Sequence, residues 1–174
     1  EGPLSVGIVN YDEGTANGQE REQGVRDALE ESGRARIGAS VTTLVEAGRA
    51  QSDAAALLSQ NPDINVLIAF NEPTSVGAAR AVEELGLEED VFLVCFDSNI
   101  VTIEGLQSGS VDALVVQNPY AMGYLGVESA YRLLTGQKDS VAPTVDTSTQ
   151  IVYRSNMFTM DSQKALFAFD QHLD

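Results

Sequence analysis

The chain has few of the residues on which nucleophilic and metal chemistry most often depend. It contains one cysteine, Cys95, and one histidine, His172, among 174 residues. A single cysteine cannot form an internal disulfide, and Cys95 lies in the apolar segment VFLVCF, which predicts a buried, inert thiol. His172 lies close to the end of the sequence, where a frayed tail is the expectation. The sequence therefore predicts no Ser/His/Asp or Cys/His catalytic arrangement and no zinc site.

Bases, long apolar runs and phosphate-binding motifs are also scarce. The chain has 10 basic and 26 acidic residues, for a formal net charge of −16. Because so acidic a surface repels DNA and RNA, a nucleic-acid partner for this segment is not expected. No apolar run approaches the roughly 18 to 20 residues that a membrane-spanning helix needs. Neither a G-x-G-x-x-G nor a G-x-x-x-x-G-K-[ST] motif is present, so no nucleotide cofactor is expected.

What the chain does contain is a regular alternation of short apolar runs with longer segments of helical period. The apolar runs are continuous, which favours strands that are buried on both faces. The predicted strands span 4–10, 35–42, 65–70, 91–96 and 111–117, and the predicted helices span 16–32, 47–60, 73–86 and 120–136, with a short helical turn near 101–109. This spacing predicts an α/β fold, with a Rossmann-like parallel sheet sandwiched by helices.

Glycine and proline mark the ends of these predicted helices. Gly33, Gly86 and Gly136 each follow a helical segment, where a left-handed cap is expected. Pro73 and Pro119 stand at helix starts, where a missing N–H group costs nothing. These positions support the helix boundaries.

Polar side chains follow the strands at one edge of the predicted sheet. They are Asn10, Tyr11, Asp12 and Glu13 after the first strand, Asn71 and Glu72 after the third, Asp97, Ser98 and Asn99 after the fourth, and Gln117 and Asn118 after the fifth. Ligands of open α/β sheets bind at this carboxyl edge. Amides and carboxylates offer donors and acceptors of fixed geometry, which suits a neutral sugar or polyol better than a phosphate.

Each of these residues also has an explanation that needs no ligand. Asn71 is equally well explained as a helix cap, and Asn10 and Asp12 fit either interpretation. Asp97 and Gln117 are harder to explain as caps, which favours binding. Asp97 with Glu72 could also act as an acid–base pair, so a small α/β enzyme is a third, less favoured alternative.

Three segments resemble the type I periplasmic sugar-binding proteins of ABC transporters, with a ribose-binding-protein-like pattern. They are IAFNEPTSVGAARAVEELG, VFLVCFDSN and IEGLQSGSVDALVVQNPYAMGYLGVESAYRLLTGQ. They share with that family an N-[DE] strand end, a [GC]-F-D strand end and a Q-x-P before a long helix. The resemblance implies a non-enzymatic solute-binding component of an importer, without a cofactor, that closes two lobes around a sugar. The effector domains of LacI-type repressors share the pattern, so an effector-binding domain of a transcriptional regulator is the alternative.

The resemblance also implies a set of ligand-binding residues. They are Gln19, Arg21, Asn71, Glu72, Asp97 and Gln117. Gln19 falls where several relatives carry an arginine, and Arg21 follows two places later. Glu72 replaces the more usual aspartate. Near Leu44 and Val45, some relatives place an aromatic residue that stacks on the sugar, and this chain has none there.

The resemblance further implies that the chain is one lobe of a two-lobed protein. Residues 1–117 would form the carboxy-terminal lobe, 118–146 the crossover helix and connection belonging to the other lobe, and 147–174 the last crossing strand and tail. The amino-terminal lobe would be absent from this chain. The helix 120–136 would then expose an apolar stripe formed by Tyr120, Tyr124, Leu125, Val127, Tyr131 and Leu134.

The expected partners follow from this arrangement. The stripe would pack on the missing lobe or support a dimer or swap. The intact protein would meet an ABC permease and would be periplasmic or extracellular, with or without a lipid anchor. A regulator would instead be cytoplasmic.

Overall fold

The computed structural model describes residues 3–167, and it shows a six-stranded mixed sheet with the strand order β2-β1-β3-β4-β5-β6. The strands are β1 (Leu4–Asn10), β2 (Ala35–Thr42), β3 (Val66–Ala69), β4 (Phe92–Phe96), β5 (Ala113–Gln117) and β6 (Thr149–Tyr153). The helices are α1 (Ala16–Ser32), α2 (Ala47–Gln60), α3 (Glu72–Leu85), α4 (Ile100–Ser108), α5 (Pro119–Leu134) and α6 (Met160–Leu166). His172 lies outside the described residues.

The sheet has an apolar core on each of its faces. The larger core joins one face of β1, β3, β4 and β5 to α2 and α3, with Leu67, Leu93 and Leu114 fully buried between them. The smaller core lies on the opposite face, where Val25 and Leu29 of α1 pack against the strands. The predicted sandwich of a sheet between helices is therefore confirmed.

The two edge strands differ from the prediction of an all-parallel, doubly buried sheet. The first five strands pair in parallel, but β6 runs antiparallel to β5. The residues of β2 are half-buried or exposed, because an edge strand lacks a neighbour on one side. Neither edge strand has the continuous apolar burial that marks the central strands.

The predicted element boundaries hold closely in the first half of the chain and shift slightly in the second. The predicted ranges of β1, α1, β2 and α2 agree with the observed ones. The strand predicted over 111–117 begins only at Ala113, because the N–H groups of Gly109 and Val111 both donate to the Gly105 carbonyl and close the end of α4. The helix predicted over 120–136 spans Pro119–Leu134.

The predicted helix caps are present. Gly33 and Gly86 adopt left-handed conformations with φ of 59° and 66°, directly after α1 and α3. Gly136 also has a positive φ, of 82°, two residues beyond α5. Pro73 and Pro119 lie in the first turns of α3 and α5.

Helix α5 stands apart from the rest of the described chain. None of its 16 described residues is buried, and Val127 and Leu134 are exposed by 74% and 88%. Tyr120 and Tyr124 stack on each other with their ring centroids 6.1 Å apart. The predicted apolar stripe is thus exposed, except that Leu125 is half-buried.

Candidate ligand-binding site

Four adjacent strands are each followed by polar residues at the carboxyl edge of the sheet. The order β1-β3-β4-β5 places the ends of these strands side by side, and each strand is parallel to its neighbour. The side chains that follow them therefore lie along one edge, as the sequence predicted. The amino end of each following helix lies at the same edge.

Asp97 and Gln117 form a direct pair across β4 and β5. Gln117 Nε2 donates to Asp97 Oδ1 at 2.6 Å, and both residues are half-buried. Asp97 has a φ of 64°, a left-handed conformation that is uncommon outside glycine and that often marks functional sites. Its backbone N–H donates to the Val115 carbonyl at 3.0 Å, which fixes this turn to β5. The pair presents a carboxylate and an amide in a fixed relation.

Asn71 caps a helix with its side-chain oxygen, and its side-chain amide NH2 group remains available as a hydrogen-bond donor. Its Oδ1 accepts hydrogen bonds from Thr74 N at 3.1 Å and from Thr74 Oγ1 at 2.8 Å, which completes a capping box at the start of α3. Within the described part of the chain, the Nδ2 group of Asn71 donates no hydrogen bond. Glu72 follows as an exposed residue in the first turn, where the helix dipole favours a negative charge.

Asn10 is a structural residue rather than an exposed binding group. Its side chain is fully buried, and its Nδ2 donates to Gly18 O at 3.3 Å and to Glu22 Oε2 at 2.9 Å. Its Oδ1 accepts from the backbone N–H of Tyr11 at 2.8 Å. Burial raises the pKa of Glu22, but hydrogen bonds from Asn10 and Arg26 outweigh that effect and lower the pKa overall.

Asp12 and Asn99 also have structural partners. Asp12 Oδ1 accepts from the backbone N–H of Gly14 at 2.7 Å within the loop before α1. Asn99 caps α4 by accepting from Thr102 N at 3.1 Å. The Nδ2 atom of Asn99 is buried without a hydrogen-bond partner among the described residues.

Gln19 and Arg21 take different directions from α1. Gln19 is exposed, and its Nε2 donates to the Glu13 carbonyl at 2.7 Å. Arg21 instead reaches the sheet edge and donates from Nη1 to the Phe70 carbonyl. Its guanidinium carbon lies 4.9 Å from the Phe96 ring centroid and 5.9 Å from that of Tyr11. The structure therefore brings Arg21 to the edge of the sheet where Asp97 lies.

Tyr11 also lies at this edge, although its place after the first strand predicts no function for it. The position of Tyr11 directly after Asn10, the buried last residue of β1, is the feature of the sequence that could have indicated a role at this edge. Its contact with Arg21 depends on the rotation of α1 and could not be read from the spacing of residues.

Two titratable groups with raised pKa values are not part of the polar set at this edge. The Cys95 thiol is fully buried, and burial raises its pKa to about 12, which agrees with the predicted inert thiol. Burial also raises the pKa of Asp112, which accepts from the Leu93 N–H at 2.8 Å near the amino end of β4, and the nearby charge of Glu89 adds to the increase. No group of three or more acidic, histidine or cysteine side chains among residues 3–167 is arranged to hold a metal ion.

Residues 1–138 match the family model described as periplasmic binding protein domain. The chain belongs to this family. A D-ribose/D-allose-binding protein of Pseudomonas aeruginosa is 34% identical over 146 residues, covering 80% of this chain and 45% of that protein. The ribose import binding protein RbsB of Escherichia coli is 33% identical over 90 residues, covering 52% of this chain and 30% of that protein.

Solved structures of the family have the same fold. A carbohydrate transporter solute binding protein from Agrobacterium radiobacter, in complex with D-arabinose, superposes with a TM-score of 0.89 at 28% identity, over 95% of this chain and 56% of that chain. An ABC transporter solute binding protein from Agrobacterium vitis with bound D-fucose has a TM-score of 0.88 at 25% identity, over 95% and 57% of the two chains. This chain thus spans about half the length of the relatives that it matches. No helix in the described range is long and apolar enough to cross a membrane.

Proposed function

We propose that this chain is one lobe of the sugar-binding component of an ABC importer, and that it is not an enzyme. The observation that carries the proposal is the Asp97–Gln117 pair, held at 2.6 Å on the carboxyl edge beside Asn71. A carboxylate with two amides can accept from and donate to the hydroxyl groups of a neutral sugar or polyol. The names of the relatives, which describe ribose, allose and arabinose as their ligands, support the same class of compound.

The proposed binding set consists of Asn71, Asp97 and Gln117, with Glu72 at its rim. The capping bonds of Asn71 hold its side chain in place while its amino group stays available for a ligand oxygen. The left-handed backbone at Asp97 directs its carboxylate toward Gln117 instead of into a helix cap. Such fixed groups reduce the ordering cost of binding.

We propose that the ligand is enclosed when a second lobe closes over this edge. Residues 1–117 would form the present lobe, 118–146 the crossover helix and connection of the other lobe, and 147–174 the last crossing strand and tail. The exposed apolar stripe of α5, with a hollow of about 690 Å³ lined by Tyr120, Tyr124, Val127 and Tyr131, supports packing against that lobe. The ligand would favour the closed state because only that state contacts it from both sides.

The proposed partners are those of an importer. The closed protein would present its surface to a membrane permease, and it would work in the periplasm or outside the cell, with or without a lipid anchor. The relatives are named as import or solute-binding proteins, which favours this proposal over the cytoplasmic LacI-type regulator and over an enzyme using Asp97 and Glu72. A dimer or swap through α5 stays a prediction that analytical ultracentrifugation of this chain tests.

The test is thermal unfolding of the intact parent protein against pentoses, hexoses, polyols and nucleosides. A ligand at about 100 times its Kd should add roughly 2.7 kcal/mol to the free energy of unfolding. Asp97→Asn should reduce the shift, whereas Asp112→Asn, which removes a carboxylate at the opposite end of β4, should leave it unchanged. Absence of a shift with every sugar and polyol would contradict the proposal.

A further inference from the structure

We infer that Ser75 is a positioning residue for ligand binding, because its hydroxyl holds the backbone directly in front of Asp97. The inference rests on the proposed function and deepens it, since Asp97 is one of the proposed ligand-binding residues. Ser75 lies in the first turn of α3 and is completely buried, with 0% of its surface exposed. It would therefore act on the ligand only through the residues that it holds.

The Ser75 hydroxyl stands where a backbone hydrogen bond between β3 and β4 is expected. In the parallel register of these strands, the Phe92 N–H donates to the Asn65 carbonyl, and each later bond of the ladder lies two residues further along. The register therefore predicts a bond from the Phe96 N–H to the Ala69 carbonyl. Phe96 N instead donates to Ser75 Oγ at 2.9 Å, and Ser75 Oγ lies within donating distance of Ala69 O, at 3.4 Å. A side-chain hydroxyl is thus inserted into the ladder at the carboxyl end of the two strands.

The same hydroxyl holds both polar backbone groups of Phe96. Besides accepting from Phe96 N, it donates to Phe96 O at 3.0 Å, which is a closer acceptor than Ala69 O. The Phe96 carbonyl belongs to the peptide group that joins Phe96 to Asp97. The N–H of that peptide group donates to the Val115 carbonyl of β5 at 3.0 Å. Both polar ends of this peptide group are therefore fixed, one by Ser75 and the other by β5.

A fixed peptide group before Asp97 sets the direction of its side chain. Asp97 has a φ of 64°, and residues other than glycine keep such a conformation only where their surroundings hold it. Because φ is the rotation about the N–Cα bond, the orientation of the preceding peptide group and the value of φ together decide where the carboxylate points. That carboxylate accepts from Gln117 Nε2 at 2.6 Å. Ser75 thus holds the backbone on which the Asp97–Gln117 pair depends.

The hydroxyl also widens the gap between the two strand ends that carry ligand-binding residues. A direct ladder bond spans about 2.9 Å, whereas the path through Ser75 Oγ consists of 2.9 Å and 3.4 Å in series. Asn71 follows β3 and Asp97 follows β4, so the wider spacing lies between these two residues. On the other side of β4, Asp97 N donates directly to the Val115 carbonyl, and the ladder stays closed. Ser75 therefore opens the sheet edge between Asn71 and Asp97.

The test is calorimetric titration of the intact protein with D-ribose, D-allose and D-arabinose, the sugars named for the relatives. Ser75→Ala removes the hydroxyl with little change in side-chain size, so the Phe96 N–H loses its acceptor. The variant should bind about 3-fold to 10-fold more weakly, because a displaced Asp97 carboxylate makes poorer hydrogen bonds to the sugar hydroxyls. In NMR spectra without sugar, the amide signals of Phe96 and Asp97 should shift.

Ser5→Ala is the matched control for a purely structural effect. Ser5 is also a buried serine, and its hydroxyl donates to Asp63 Oδ2 at 3.0 Å at the amino end of β1, the opposite end of the sheet. Each of the two substitutions removes one hydrogen-bonding hydroxyl, so both should lower Tm. Only Ser75→Ala should also weaken sugar binding.

A double-mutant cycle tests whether Ser75 acts through Asp97. Asp97→Gly removes the carboxylate and permits the positive φ, because glycine adopts this conformation without strain. In the Asp97→Gly background, Ser75→Ala should change the affinity by less than about 2-fold, since the group that Ser75 positions is no longer present.

The outcomes separate the inference from the proposed function. Unchanged sugar affinity in Ser75→Ala would overturn the inference and leave the proposed function standing. Equal losses from Ser75→Ala with and without the Asp97 carboxylate would also contradict it, because Ser75 would then act independently of Asp97. A comparable loss of affinity in Ser5→Ala would refute it too, since binding would merely follow stability. A wild-type protein that binds none of these sugars, and no other sugar or polyol, would overturn the proposed function and the inference with it.

Discussion

Gly77→Ala should destabilise the chain because helices α2 and α3 touch at this glycine. A Cβ atom added at Gly77 would lie 2.5 Å from the Cβ of Ala50, 2.6 Å from the backbone N of Gln51 and 2.8 Å from the carbonyl of Ala47. Two of these atoms belong to the backbone of α2, so the helices must separate. Overpacking of this kind costs roughly 1 to 3 kcal/mol, and the backbone contacts favour the upper end. Alanine recovers about 1 kcal/mol of helix propensity, which leaves a net loss of about 2 kcal/mol.

Gly24→Ala is the matched control for this prediction. Gly24 lies in the interior of α1, and no atom lies within 4 Å of its added Cβ. Here only helix propensity acts, so the substitution should stabilise the chain by about 1 kcal/mol. Urea unfolding followed by circular dichroism measures both variants. If Gly77→Ala were as stable as Gly24→Ala, the close packing of α2 on α3 at this glycine would be refuted.

Three further predictions concern charge and the buried thiol. Raising the NaCl concentration from about 0.05 M to about 1 M should raise Tm by several degrees, because salt screens the repulsion between acidic residues in a chain of net charge −16. A fall in Tm would contradict this prediction. Cys95 should react with a thiol reagent at pH 8 only after urea is added, since burial raises its pKa to about 12; rapid labelling of the folded chain would show that it is accessible. Asp112→Asn should raise the free energy of unfolding at pH 7, because it removes a charge that burial disfavours. The gain should be less than about 1 kcal/mol, because the carboxylate is only half-buried and solvent partly screens it. Because the pKa of Asp112 is raised in the folded state, the wild-type carboxyl becomes protonated as pH falls through that pKa toward about 4, and the stability difference between Asp112→Asn and the wild type should shrink. A difference that grew in acid would refute the raised pKa of Asp112.

The first half of the fold could be predicted closely because local signals agree with tertiary packing there. Buried apolar runs, a helical period and the glycine after α1 all indicate the same boundaries, and the structure confirms them. The direction of β6 could not be predicted, because it depends on where the exposed helix α5 leads the chain. A short edge segment carries no pattern that distinguishes parallel from antiparallel pairing.

The candidate site likewise has features that the sequence predicts and features that it does not. The neighbouring positions of Asp97 and Gln117 followed from strand adjacency, which a parallel sheet imposes on successive strand ends. The burial of Asn10 and the position of Arg21 did not follow, because both depend on how α1 is rotated over the sheet. Side-chain contacts between a helix and a strand end are set by packing and not by sequence spacing.

The most direct test of the account is the affinity of the intact protein for its best sugar, measured by calorimetry for the wild type and for Asp97→Asn. Asparagine tolerates the left-handed conformation at this position, so the substitution removes the charge and keeps the backbone. The account predicts binding of a neutral sugar or polyol by the wild type and a loss of roughly 10-fold to 100-fold in the variant, because the charged acceptor is lost. Equal affinity in the two proteins would contradict the assignment of this edge as the ligand-binding site.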